Sequence, residues 1–326
     1  MKNLTELLQR VLAVVTVEHR LIGASLTRIS FGLCTLYLSL LHYRQRWYLW
    51  GPDAVWPQSE FASELPSSLY ALSDSPLVFD VLFHLSILVA CAFTLGWHTR
   101  AMSVLNFIFV FSLQNRNEFI LDGGDNFARL ALFFMMFVNC GEYFSLDRDR
   151  KASRPARESS ELRTIARQAL AIIHNAALLL IVFQLCVVYL VAAMHKISGE
   201  MWQQGTAMYY ISQVREFSWS PGLSKLFLNE YAMVSATYGT VLWQLSFPFL
   251  LVNRWTRMLV LLGGVFFHLG IAYSMRLISF SWFMASAYFV AVPDGEYLQF
   301  YKVVHSRIQA STMRWRARSA RLQAAP

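Results

Sequence analysis

The sequence predicts an all-α protein, a polytopic transmembrane helix bundle of about eight spans with both termini cytoplasmic. Three observations predict it. Of 326 residues, 56% are hydrophobic and 15% charged, whereas a surface facing water carries roughly 25 to 35% charged residues. Apolar runs long enough to cross a bilayer recur along the chain, and Lys and Arg gather in alternate connections between them.

The elements follow in order. In 1–20, leucines and valines alternate with polar residues at helical spacing in "MKNLTELLQRVLAVVTVEHR", which predicts an amphipathic helix lying at the inner interface. No small-residue cleavage site follows a short apolar core, so a removed signal peptide is not expected. The transmembrane domain is placed at 21–296, with spans near 22–43, 76–96, 101–115, 124–144, 169–195, 232–252, 257–275 and 278–293. The third and last are short for about 30 Å of hydrocarbon and are expected to tilt. A basic cytoplasmic tail occupies 297–326.

Orientation rests on the basic residues. An inside N-terminus puts Lys2, Arg10, Arg20, Arg100, the cluster within 148–167, Arg254, Arg257 and the tail on the cytoplasmic side, as the positive-inside rule requires. The expected location is the bacterial inner membrane. The net charge of +8 lies largely beside spans, where it contacts anionic lipid head groups; lipids are the expected partners, and no nucleic acid is. Cys34, Cys91, Cys140 and Cys186 lie in or beside apolar runs without metal-like spacing and read as small buried hydrophobes. No HExxH, CxxC, GxSxG, Walker A or dinucleotide glycine pattern is present, which leaves metal, serine-hydrolase and nucleotide chemistry without a motif.

Unusual polar material collects on the predicted outer face. In "MHKISGEMW", His195 and Lys196 end the fifth span and Trp202 follows. Such a lysine can snorkel to the head groups; partly desolvated, it can serve as a general base. In "NRNEFILDGGDNFARL", Asn117 and Glu118 precede a glycine break, and Asp125 stands at a helix start with Arg129 four residues on. Pairing along one helix face accounts for that spacing, as does a site, because an arginine inside a span needs a partner or an aqueous cavity. Of His84, His174 and His268, each readable as an interhelical hydrogen-bonding residue, His268 is the functional candidate.

Together these stretches resemble the HTTM family, the membrane domain related to vitamin K-dependent gamma-carboxylase, here as a short bacterial member. The resemblance is carried in family order by "RISFGLCTLYLSLLHYRQRWYLWGPDAVWP", "NRNEFILDGGDNFARLALFFMMF...YFSLD", "YLVAAMHKISGEMWQQGTAMYY" and "FFHLGIAYSMRLISFSWF". It implies that Lys196, ahead of Trp202, is a base that deprotonates a reduced quinone such as vitamin K hydroquinone. It also implies a catalytic His268, ahead of Phe280 and Ser281, with Asn117, Glu118, Asp125, Arg129, His195 and Trp202 shaping the substrate site. Glu118 departs from the family's Asn-His pair, and the chain ends soon after its last span, where the carboxylase carries a large lumenal domain.

Two functional classes stay open. One is carboxylase-like chemistry on a quinone or a secreted peptide with Lys196 as base. The other is a non-enzymatic membrane partner, with a secreted peptide or an accessory protein, in maturation or export of that peptide, or a lipid-binding protein.

Overall fold

The computed structural model describes residues 2–57, 68–152, 160–214 and 225–323, with no strand among them. Parts of two predicted outer loops, with Glu60, Glu64 and Arg215, part of the basic linker at 153–159 and the last three residues lie outside the described residues. In order, the helices are α1 (Lys2–Val15), α2 (Leu21–Leu41), α3 (Arg46–Trp50), α4 (Pro76–Leu95), α5 (Thr99–Arg116), α6 (Gly123–Met135) and α7 (Leu146–Ala152). They continue with α8 (Glu161–Ile197), α9 (Glu200–Gln203), α10 (Ala207–Gln213), α11 (Glu230–Leu250), α12 (Arg254–Met275), α13 (Ile278–Ser286), α14 (Tyr288–Ala291) and α15 (Asp294–Gln323).

Among the described residues, four helices are long and apolar enough to cross a membrane: α2, α4, α8 and α12. The other predicted spans fall on α5, α6, α11 and the α13–α14 pair, which are shorter or more polar. Their polarity faces inward. Ser103, Asn106 and Ser112 of α5, Thr237 and Gln244 of α11, and Ser281 and Ser286 of α13 are all buried. Outward surfaces are apolar instead, with Leu77, Val81, Leu85 and Leu88 exposed on α4 and Leu259, Leu262, Phe266 and Leu269 exposed on α12. Polar groups inside and apolar rows outside are the arrangement for which lipid is the solvent. This is a membrane protein.

Partners along each helix show how the bundle is strung. Tyr43 Oη meets His84 Nε2 at 2.9 Å near one end of the α2–α4 contact, and Arg28 and Gly96 meet near the other. Cys34 reaches the Ser279 carbonyl while Thr27 donates to the Ser286 carbonyl, so α2 also runs antiparallel to α13. Gln184 of α8 donates to the Phe127 carbonyl at 3.0 Å, and the Asn139 amide donates to His174 Nδ1 at 3.0 Å, giving α6 and α8 the same relation. Each interhelical hydrogen bond of this kind contributes about 0.6 kcal/mol on average and at most about 1.7, so many must act together.

The end where α2 begins is tied down by charge. The Leu21 and Ile22 amides donate to the Asp294 carboxylate at 3.0 and 2.8 Å, which supplies from α15 the cap that Arg20 cannot make. A ring of contacts at the same end centres on Arg28, fully buried, whose Nη2 donates to the Phe144 carbonyl at 2.5 Å. Gly96 packs against it with φ 70°, and an added Cβ would stand 1.9 Å from Arg28 Nη1. Only glycine meets both demands. Asp147 then caps α5: it accepts from the His98 amide at 3.0 Å, the Thr99 amide at 2.6 Å and Thr99 Oγ1 at 2.8 Å.

α1 forms as a helix, with Leu7, Val11 and Val14 exposed as an apolar row.

Candidate functional site

At the opposite end of the bundle, α2 and α5 finish where α6 and α13 begin. The four enclose a cavity of about 140 Å³, walled by Leu38, His42, Trp50, Gln114, Asp122 and Asp125 among others. Local sequence explains its acidic wall. Asp122 is the N-cap of α6: its Oδ1 accepts from the Gly124 and Asp125 amides at 2.7 and 3.1 Å, and Asp125 Oδ2 accepts from the Asp122 amide at 3.0 Å. This reciprocal capping box satisfies amides that a helix start otherwise leaves unpaired. It is seated by Gly124, where a Cβ would lie 2.5 Å from the Phe280 Cα. His42 follows the last turn of α2, and its ring meets the edge of Trp50 at 5.8 Å. Among the described residues, the buried His42 Nδ1 and Trp50 Nε1 have no hydrogen-bond partner.

Of the residues singled out from sequence, Asp125 alone lines this cavity. The expected Asp125–Arg129 pair does not form as an ion pair within 4 Å among the described residues. Gln114 intervenes, because Arg129 Nε donates to Gln114 Oε1 at 2.9 Å and Gln114 Nε2 donates to the Asp125 carbonyl at 3.3 Å. The arginine also stands 5.6 Å from the Phe111 ring, and its partners are thus an amide and a π-face. Asn117 is fully buried in a structural task, donating to the Leu49 carbonyl at 2.9 Å and accepting from the Phe119 amide. Glu118 is exposed.

His268 sits elsewhere, in the core. Its Nε2 bonds the Tyr189 hydroxyl at 2.6 Å, and Tyr189 bonds the Tyr288 hydroxyl at 2.5 Å. The three come from α8, α12 and α14. Tyr189 and Tyr288 had no signal in sequence because a tyrosine in an apolar run reads as core until its hydroxyl finds a partner.

Lys196 takes a third position. The buried face of α8 runs through Ala171, His174, Leu178, Ile181, Leu185, Tyr189 and Ala193, and the next inward step at this three- and four-residue spacing is Lys196. It is half-buried, with Nζ 3.4 Å from the Ala192 carbonyl and 5.2 Å from the Trp202 ring centroid. Seven residues of helix put it about 10 Å along α8 from Tyr189. His195 beside it is exposed. Among the described residues, no three His, Cys, Asp or Glu side chains group to hold a metal ion.

The HTTM domain pattern matches residues 22–294. The chain belongs to the HTTM domain family. Two relatives from Bacillus subtilis (strain 168) extend the similarity. Uncharacterized protein YitO is 28% identical over 229 residues, covering 69% of this chain and 71% of its own. Sporulation-delaying protein SdpB is 22% identical over 270 residues, covering 81% and 78%. No solved structure matches the chain.

Within this HTTM bundle, the motifs that carried the resemblance divide into two kinds. Arg28 and Asp147, from the "RISFG" and "YFSLD" stretches, lock helix junctions. Asp122 and Asp125 open onto the cavity. Lys196 does not line it.

Proposed function

We propose that this HTTM protein spans the bacterial inner membrane about eight times, with both termini cytoplasmic. In this reading its outward cavity binds the polar end of a secreted peptide as a membrane partner in that peptide's maturation or export. The observation that carries the reading is the cavity itself, a small space lined by Asp122, Asp125, His42 and Trp50 between apolar side chains. A few convergent polar atoms in an apolar-walled pocket are the usual sign of a ligand site. The antiparallel run of helices supports the span count, since α2 begins against Asp294 and the cavity lies at its far end. The family resemblance favours a peptide over other ligands, and the similarity to sporulation-delaying protein SdpB extends over most of the chain.

The test is co-purification. The tagged chain is extracted from membranes in mild detergent, and bound molecules are identified by mass spectrometry beside an Asp125→Asn variant of equal yield and helicity. A peptide that accompanies the native chain and is depleted from the variant is the expected result. Identical bound molecules in both, or no peptide in either, would sink the reading.

A second reading, carboxylase-like chemistry with Lys196 as base, is favoured by one observation: the lysine continues the inward face of α8 and is half-buried there. A snorkelling lysine needs no inward register.

A further inference from the structure

At the end of the bundle where α2 begins, a second hollow lies open to lipid. It is a groove of about 610 Å³ between the end of α1, the turn into α2, α8 and the start of α15, within the range of about 300 to 1,000 Å³ of ligand sites. Hydrogen bonds build its wall. Asn175 Nδ2 donates to the Val15 and Val17 carbonyls at 3.0 and 2.7 Å, its Oδ1 accepts from the His19 amide at 3.1 Å, and His174 Nε2 bonds the His19 carbonyl at 2.8 Å. The end of α1 is thereby held against α8. Along α8 the floor changes character: Asn175 stands at the level of these bonds, Leu178 and Leu179 one turn deeper, and Val182 about 10 Å along the helix from Asn175. Leu179 is 68% exposed, so the groove opens sideways onto hydrocarbon.

Arg20 supplies positive charge at the polar end. It lines the groove part-exposed, and its Nη1 donates to the Val290 carbonyl at 2.7 Å. That bond fixes the guanidinium, which with five N–H donors retains charge and hydrogen bonds for another partner. Asp294, on the same rim, has its two carboxylate oxygens on the Leu21 and Ile22 amides, so its charge answers the positive start of α2. A ligand that matches both ends of the groove carries an anion at the bilayer surface and an apolar chain running towards the bilayer middle. A soluble anion would leave the leucine floor uncovered, and an uncharged lipid would leave the guanidinium unanswered. We propose that the groove holds one phospholipid, its phosphodiester on Arg20 and one acyl chain along Leu178, Leu179 and Val182. Arginine suits a phosphate because its planar fork donates two parallel bonds to it. Asn175, whose bonds are to backbone, shapes the site and does not bind the lipid. The site lies at the far end of the bundle from the peptide cavity and does not depend on it. The proposed orientation decides only which leaflet supplies the lipid, and it names the inner one.

Native mass spectrometry of the full chain in mild detergent, offered one lipid at a time, counts the lipids that stay bound. Phosphatidylglycerol is expected to remain as a single adduct, and diacylglycerol with the same chains, which lacks the phosphate, to be retained at least about tenfold less. Glycerophosphoglycerol, which keeps the phosphodiester without the chains, is expected not to compete. These comparisons use the native chain and require no variant to fold. Arg20→Gln should lower phosphatidylglycerol retention to the level of diacylglycerol, and Leu179→Trp, at an exposed position, should lower retention by filling the floor. Equal retention of the two lipids by the native chain overturns the phosphate assignment. Displacement by glycerophosphoglycerol overturns the lipid assignment in favour of a soluble phosphodiester. Undiminished retention in either folded variant overturns the location. A detergent micelle has no sides, so a reversed orientation in the membrane would change none of these results and is tested separately.

Discussion

Lys196 shows how much one helical register decides. At the end of an apolar run its place in the sequence suits both a snorkelling anchor and a base, and the difference between them is direction, not distance along the chain. Its inward step on α8 suits a base, whereas its contact with the Trp202 ring favours the charged ammonium that an anchor carries. If Lys196 acts as a base, incubating membranes with a reduced naphthoquinone should yield an oxidised product by mass spectrometry. Lys196→Ala and Lys196→Arg should each lower its yield by about a hundredfold, the small end of what general-base catalysis contributes. Undiminished product in both variants would reduce the residue to an anchor. Arg129 teaches the complementary lesson: i,i+4 spacing made Asp125 its natural partner, yet a glutamine from the neighbouring helix reached it first.

At the scale of elements, the junction of α4, α5 and α7 accounts for stretches whose purpose sequence does not disclose. Burial pushes the Asp147 carboxyl upward, but the bonds from Thr99 and His98 outweigh it and hold the group below its ordinary value. A depressed folded pKa stabilises the fold fully above the unfolded value, about 3.9, and the contribution is lost as pH falls through the lower folded value. Asp147→Asn should therefore destabilise the chain by about 1 to 3 kcal/mol at pH 7, measured by unfolding in detergent, with the gap to the native protein closing below about pH 4. A gap that persists at low pH would mean the side chain acts by packing rather than by charge. α1 and the start of α6 near Asp125 were legible in sequence because both depend on neighbours within a few residues, whereas the Asp122 half of the capping box was not read there. The core triad of Tyr189, His268 and Tyr288 was not, because it joins three helices.

For the whole molecule, the proposed threading with both termini cytoplasmic carries its own prediction. Single cysteines placed at Ser73, Glu118 and Ser198 in a chain freed of its native cysteines should react with a membrane-impermeant maleimide from outside the cell. Cysteines at Arg148 and His305 should react only after permeabilisation. Labelling of the second group in intact cells would overturn the orientation.

The sequence by itself determined the solvent, the helical class, the family resemblance and the face on which polar groups gather. Those properties are sums or short-range patterns: apolar length against bilayer thickness, charge by loop, and periodicity along one helix. Only the tertiary structure decided which polar residues meet. His42, Trp50, Gln114 and Asp125 come from separate parts of the chain and become a cavity because four helix ends converge there. Lys196, His268 and Asn117 looked equally promising along the chain and fell into three other environments, since a side chain's partners are chosen by packing across helices and not by sequence distance.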